Sequence, residues 1–263
     1  MTVALADIVP FLDDLLGTRE TPDYGGAVNG LQLENGSGAV TKVAAAVDFS
    51  LRTVEGAVAA GANLLLVHHG MFWGGAQPIR GAAYRRLRRL VESDVAVYAS
   101  HLPLDRHPTL GNNALLARAL GLQPSREFAR YKTIAVGVSG DSDVETAELI
   151  ERARTFAERE GGSVVVGGGA SASQPGRRTR RWALCTGAGA SSDTMREAIE
   201  IGADTLIVGE GPHHTAVDAE DAGLAVIYAG HYATETLGVR ALAQHVSDRF
   251  GVPWAFVAAP TGL

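Results

Sequence analysis

The sequence predicts an α/β protein built from two copies of one unit, and three observations carry that prediction. The stretch TVEGAVAAGANLLLVHHG, from Thr53 to Gly70, aligns without a gap with TMREAIEIGADTLIVGEG, from Thr194 to Gly211. A second pair follows in the same order: VAVYASHLPLD, ending at Asp105, and LAVIYAGHYATE, ending at Glu235. Within each copy a helical pattern leads through Gly-Ala-Asn or Gly-Ala-Asp into a short, apolar, mostly branched run, Leu64–Val67 or Thr205–Val208. Such runs suit strands covered on both faces. The glycine after each helix stands where a left-handed cap is wanted. A fixed-order internal duplication takes precedence over any local reading of the fold.

The remaining elements follow in chain order. MTVALADIVPFLDDLLG has acids inside its apolar stretch and no basic leader, so it reads as an amphipathic helix rather than a signal peptide. YKTIAVGVSG alternates and predicts a strand, and VETAELIERARTFAERE a helix with its acids forward. GGSVVVGGGASASQPGRRTRR predicts a short strand and then a Gly/Ser/Pro loop whose arginines, Arg177, Arg178, Arg180 and Arg181, decorate a solvated loop or edge. RWALCTGAG opens the second copy, with Cys185 packed inertly in its strand. ETLGVRALAQHV is a final helix. The expected division is residues 1–125, carrying His68, His69, His101 and Asp105, and 126–263, carrying His231 and Glu235.

Composition narrows the function classes. The chain of 263 residues is 46% apolar and 20% charged, enough to bury a core without staples. A net charge of −6 argues against general nucleic-acid binding. The single cysteine excludes an intrachain disulfide and a cysteine-rich zinc module. No apolar run reaches the ~18 residues of a membrane span. The resulting expectation is a cytoplasmic protein acting on a small molecule, with no membrane partner.

Chemistry gathers at the strand ends. His68 and His69 directly follow an apolar strand. Side chains alternate along a strand, so adjacent histidines are not expected to chelate one ion; they can serve two neighbouring ions, or one ion and a substrate. His101 and Asp105 share the next strand end, with Pro103 between them predicting an extended link. His231 and Glu235 occupy the matching place in the second copy. If the two copies face one another, these six residues form a ligand shell for two divalent ions, which acidify a bridging water and clamp an oxyanion. Structural readings stay open for each: Asp105 as a cap, Glu235 as the start of a helix, His101 as an orienter behind the ligands. Because His68 and His69 align with Gly209 and Glu210, the expectation is one two-metal site per chain, made jointly by both copies.

The segments VHHGMFWGG, SHLPLDRHPTLGNNALLARALGL, GEGPHHTAVDAEDAG and GHYATE, with AVNGLQLENG near the start, resemble the Nif-three-like family. Its members are also known as dinuclear metal-centre proteins and as GTP cyclohydrolase I type 2 homologues. The resemblance runs nearly end to end and is to the short form, without the central insert. It implies two interlinked α/β repeats with mixed sheets flanked by helices, assembling into a toroidal homohexamer. It also implies two divalent ions per chain, zinc, iron or manganese, on His68, His69, Asp105, His231 and Glu235, with His101 near the metals.

Two functional readings follow. In the first, the chain is a metal-dependent hydrolase acting on a nucleotide or phosphoester through a metal-bridging hydroxide, with His101 as the catalytic proton shuttle. Glu210, His213, His214 and Trp73 are then candidate substrate contacts, set against a helix start for the histidines and loop packing for Trp73 and Phe72. CTGAGASSDT precedes a helix and either holds a phosphate or simply permits a tight turn; the tight turn is the favoured reading. In the second reading the chain is a non-catalytic metal-binding scaffold or regulatory interaction protein.

Overall fold

The structure, a computed structural model, describes residues 2–263. The chain forms two compact units, and both are mixed α/β. The first comprises the residues up to Leu104 together with Gly238–Ala259; the second comprises Asp105–Leu237 and Pro260–Leu263. The division therefore falls before Asp105 and not at residue 125. The reason lies in the core: Leu116, Ala117 and Leu120, from the helix Asn112–Ala119 and its cap, pack with Leu149, Phe156, Trp182 and Ile207 of the second unit. The C-terminal strand Trp254–Phe256, expected in the second unit, pairs in parallel with Val43–Asp48 of the first.

The first unit holds a five-stranded sheet in the order Trp254–Phe256, Val43–Asp48, Leu64–His69, Ala96–Ala99, Gly30–Leu33. Only the last strand is antiparallel to its neighbour. Leu65, Val67, Val97 and Ala99 pack against Val54 and Ala57 of the helix Leu51–Ala59 and Leu90 of the helix Ala82–Glu92. On the other face, the buried Tyr98 hydroxyl donates to Asp13 (2.8 Å) on the helix Leu5–Leu16. That helix answers the expected N-terminal one, whose Met1 lies outside the described residues.

The second unit holds six strands in the order Arg126–Tyr131, Ile134–Glu145, Arg178–Cys185, Thr205–Val208, Ala225–Tyr228, Val165–Gly167. The middle trio, Arg178–Cys185 to Ala225–Tyr228, is parallel. Trp182, Leu184, Ile207 and Ile227 face the helices Asn112–Ala119 and Thr146–Arg159. Ala183, Cys185, Leu206 and Val208 face the helix Ser192–Glu200. Burial pushes the Cys185 thiol up, in keeping with inert packing.

The duplication extends to individual hydrogen bonds. Ser50 caps one helix by accepting from the Thr53 amide (3.2 Å), and Ser191 caps its counterpart by accepting from Thr194 (3.1 Å). Gly61 and Gly202, after the helices, have φ of 70° and 69°. Asn63 Oδ1 accepts the amides of Thr41 and Lys42, while Asp204 Oδ2 accepts those of Arg180 and Arg181. The Asn63 and Asp204 carbonyls then accept from Ala96 and Ala225, each at 3.0 Å.

Two local expectations are corrected. Arg178, Arg180 and Arg181 lie in an interior strand, not a loop or edge, and Arg178 and Arg181 pair with Asp143 and Asp141 on the adjacent strand. The link Leu102–Asp105 is one helical turn, not extended. A proline in the first turn lacks only an N–H that would have no helical partner there, so Pro103 is compatible with it.

Candidate metal centre

In the first unit the imidazoles of His68, His69 and His101 come together. Their ring centroids are 4.8 Å (68–69), 4.9 Å (68–101) and 5.7 Å (69–101) apart, and one ligand nitrogen from each lies within 4.8 Å of the others. Adjacent strand histidines thus come close enough to offer nitrogens to one ion, which regular strand geometry does not readily allow. At a strand's end the side-chain torsions decide where the rings go. His68 Nδ1 bonds the carbonyl of Ser100, just beyond one neighbouring strand (2.9 Å), and His69 Nδ1 bonds Asp48 Oδ1 on the other (2.8 Å).

His101 is held most completely. Its Nδ1 bonds Asp23 Oδ1 (2.8 Å), and its amide donates to Asn29 Oδ1 (2.7 Å). Asp23 Oδ2 accepts from Asn29 Nδ2 (2.8 Å) and from the Leu102 amide (2.9 Å). Burial alone would raise the Asp23 carboxyl, but the bonds from His101, Asn29 and the Tyr24 amide outweigh it and hold the pKa below the usual carboxylate value. The Asn-Gly-Leu-Gln segment thus positions the imidazoles: Asn29 clamps His101, and Gln32 accepts the Met71 amide (2.6 Å) just after the histidine pair. Trp73, 42% exposed, lies 4.5 Å from the His101 ring and 4.9 Å from that of His69.

The second unit carries the carboxylates. Asp105 is buried and accepts from Asn112 Nδ2 (2.9 Å) and the Thr186 hydroxyl (3.5 Å). Asn113 accepts the Thr186 amide (2.9 Å), fixing the strand end beside Asp105. Glu235, also buried, pairs with His231 Nε2 (3.2 Å), and His231 Nδ1 bonds Glu210 Oε1 (2.8 Å). Burial opposes charging His231, but Glu235 and Glu210 outweigh it and raise its pKa to about 9.

The glycine-rich turn after Cys185 makes room for this group. A Cβ at Gly187, where φ is 62°, would lie 2.0 Å from Glu235 Oε1; one at Gly209 would lie 2.4 Å from the Gly187 carbonyl oxygen. These contacts favour the tight-turn reading of CTGAGASSDT. Among the candidate substrate contacts, Glu210 is the partner of His231, and His214 bonds Ser192 Oγ (3.2 Å). His213 and His214 stand exposed at the start of the helix His213–Asp221.

The donor set suits divalent first-row metals. Imidazole nitrogens and carboxylates are ligands for zinc, iron or manganese. Each of the four imidazoles engages an oxygen through Nδ1, an arrangement that fixes ring and tautomer in metal-ligating histidines and presents Nε2 as the ligand atom. Asp23 and Asp48 were missed by the sequence reading. Asp48 had a signal, a carboxylate closing the strand VAAAVD; Asp23 had none, being 78 residues from its partner.

The fold and these residues define a duplicated α/β protein with a candidate metal-binding site. The chain belongs to the family described as Duf34/NIF3 (NGG1p interacting factor 3), whose model matches residues 3–261. It is 40% identical over 257 residues to the "GTP cyclohydrolase 1 type 2 homolog" of Deinococcus radiodurans, covering 98% of this chain and 94% of that one. Among solved structures, protein ybgI, described as of unknown function, superposes with a TM-score of 0.87 at 32% identity, covering 99% of this chain and 100% of the other. A Thermus thermophilus protein, TTHA1606, gives 0.84 at 34% identity, with coverage of 99% and 100%. Among the described residues, no helix is long and apolar enough to cross a membrane.

Proposed function

We propose that this protein is a dinuclear-metal-dependent hydrolase acting on a nucleotide or phosphoester. His68, His69, Asp105, His231 and Glu235 hold the ions, and His101 stands beside them to move a proton. The observation that carries the reading is the set of four imidazoles, each with Nδ1 engaged by an oxygen acceptor, together with the buried carboxylates Asp105 and Glu235. When bound, divalent ions supply Lewis acidity and acidify water near neutral pH. The chain's own residues do the remaining work. Asp23 and Asp48 fix the His101 and His69 rings. His101, held through Nδ1, presents Nε2 as the atom that takes up or releases a proton. Trp73 offers an exposed aromatic face beside both rings. The name of the Deinococcus radiodurans relative supports a nucleotide substrate, and assembly into a homohexamer belongs to the same proposal.

Metal content per chain, measured on protein purified without chelator or affinity nickel, is the test. About two ions in wild type, falling sharply in Glu235→Ala, are expected. Turnover on a panel of nucleotides and phosphoesters should follow metal content across both proteins. Negligible metal in wild type after reconstitution with zinc, iron or manganese would overturn the proposal. Full metal with no turnover on any substrate would favour the metal-binding scaffold instead.

A further inference from the structure

Arg126, Arg178 and Arg181 in the second unit each pair with Asp141 or Asp143. The segment from Arg80 to Arg89 is different: it holds five arginines and no acid, in a chain whose net charge is −6. Only Arg88 is paired, with Glu92 (2.7 Å). The side chains of Arg80, Arg85, Arg86 and Arg89 make no hydrogen bond or ion pair among the described residues. Arg85 and Arg89 stand four apart, and Arg86 and Arg89 three apart, on the helix Ala82–Glu92. Like charges at those spacings repel, so the helix gains from an anion.

Arg86 is the focus. It is half-buried, its Nε is sequestered without a hydrogen-bond partner, and its guanidinium lies over the Phe49 ring at 5.3 Å. With Nε sequestered, the Nη donors of Arg86, which are neither buried nor hydrogen-bonded, are the ones an anion can engage. Phe49 ties the arginine to the imidazoles, since its amide donates to the His69 carbonyl (2.9 Å). Trp73 packs against the same His69 ring. The Arg86–Phe49 contact therefore lies one backbone hydrogen bond away from His69, at the strand end that carries the imidazoles.

We propose that Arg86, flanked by Arg85 and Arg89, is a phosphate-binding site that holds the phosphoryl group of the substrate. This rests on the hydrolase reading for the word substrate, but the anion site itself does not depend on metal. A planar guanidinium supplies parallel donors to two phosphate oxygens, and the exposed neighbours add charge at the rim.

The test is calorimetric titration of the full metal-loaded chain with pyrophosphate. Wild type should bind, and Arg86→Gln should bind at least about tenfold more weakly. Arg88→Gln, which removes the paired arginine, should stay within about twofold, with metal content unchanged in both variants. The exposed double variant Arg85→Gln/Arg89→Gln reports independently of any folding defect at Arg86, and should weaken binding and flatten its salt dependence. Equal affinity in wild type, Arg86→Gln and the double variant would overturn the proposal, as would no binding by wild type at millimolar pyrophosphate. Binding lost in the metal-poor Glu235→Ala protein but intact in Arg86→Gln would place the anion on the metals and also overturn it. Arg86-dependent binding in a wild type that takes up no metal would sustain the anion site while the hydrolase reading fails.

Discussion

The two repeats share a scaffold and differ at its working edge. Both have a parallel trio of strands, a serine-capped helix after the first, and an Asn or Asp that gathers two amides at the sheet's start. At the exit of the middle strand the first repeat carries His68 and His69, and the second Gly209 and Glu210. The reason is steric. In the first repeat the preceding strand ends in Asp48, which supports His69; in the second it runs into Thr186 and Gly187, whose backbone fills the space a side chain at 209 would need. The second repeat therefore offers no matching imidazole pair, and its own imidazole and carboxylate, His231 and Glu235, stand at the next strand exit. Duplication supplied the sheet twice, and packing around one turn made the halves chemically unequal.

That inequality can be tested, and the largest effect belongs to the ligands. Asp105→Ala and His69→Ala, one from each unit, should each lower turnover by about a thousandfold or more, the equivalent of about 4 kcal/mol. Assay of both at saturating metal checks this; activity near wild type in either would remove that unit from the chemistry. Gly209→His, which restores the first repeat's residue to the second, should gain no metal and should lose about 3 kcal/mol of stability, because even its Cβ meets the Gly187 carbonyl oxygen at 2.4 Å. Urea unfolding and metal analysis together decide it.

The raised pKa of His231 gives the next effect. Its folded value of about 9 lies above its ordinary 6.5, so the metal-free protein has this stabilisation in full below pH 6.5 and loses it as pH rises through 9. The loss amounts to up to about 3 kcal/mol. Unfolding curves of metal-free wild type and His231→Asn should converge as the pH rises; parallel curves would contradict the assignment. Metal uptake should run the opposite way, strengthening over the same window as the imidazole gives up its proton.

The smallest effects belong to the supporting carboxylates. Asp48→Asn and Asp23→Asn should each weaken metal binding by about 10- to 100-fold while leaving the fold intact. Competition with a chelator of known affinity measures this. No change in either variant would mean that the His69 or His101 ring is held by its packing alone.

Much of this was legible in the sequence because the signals were local. The strand Leu64–His69, the helix Thr146–Arg159 and the repeat itself rest on apolar periodicity and on glycines next to helix ends, which neighbours in sequence determine. His68, His69, His101, Asp105, His231 and Glu235 stood out because each is polar and close behind a buried strand. Where reasoning by local rule failed, a tertiary contact had overridden it. Pro103 sits in a helical turn whose first amide, that of Leu102, is held by the distant Asp23 carboxylate, and its first-turn position needs no N–H. The rings of His68 and His69 come together because Ser100, just beyond one neighbouring strand, and Asp48, on the other, draw on their Nδ1 atoms. Arg178 and Arg181 belong to an interior strand because its residues Thr179 and Trp182 are buried and it pairs with a strand on each side. The sequence by itself determined most of the elements, the duplication and the candidate metal donors. Only the tertiary structure decided which oxygen holds each imidazole and where Glu235 finds its space, because those partners are brought together by sheet register and backbone packing rather than by nearness along the chain.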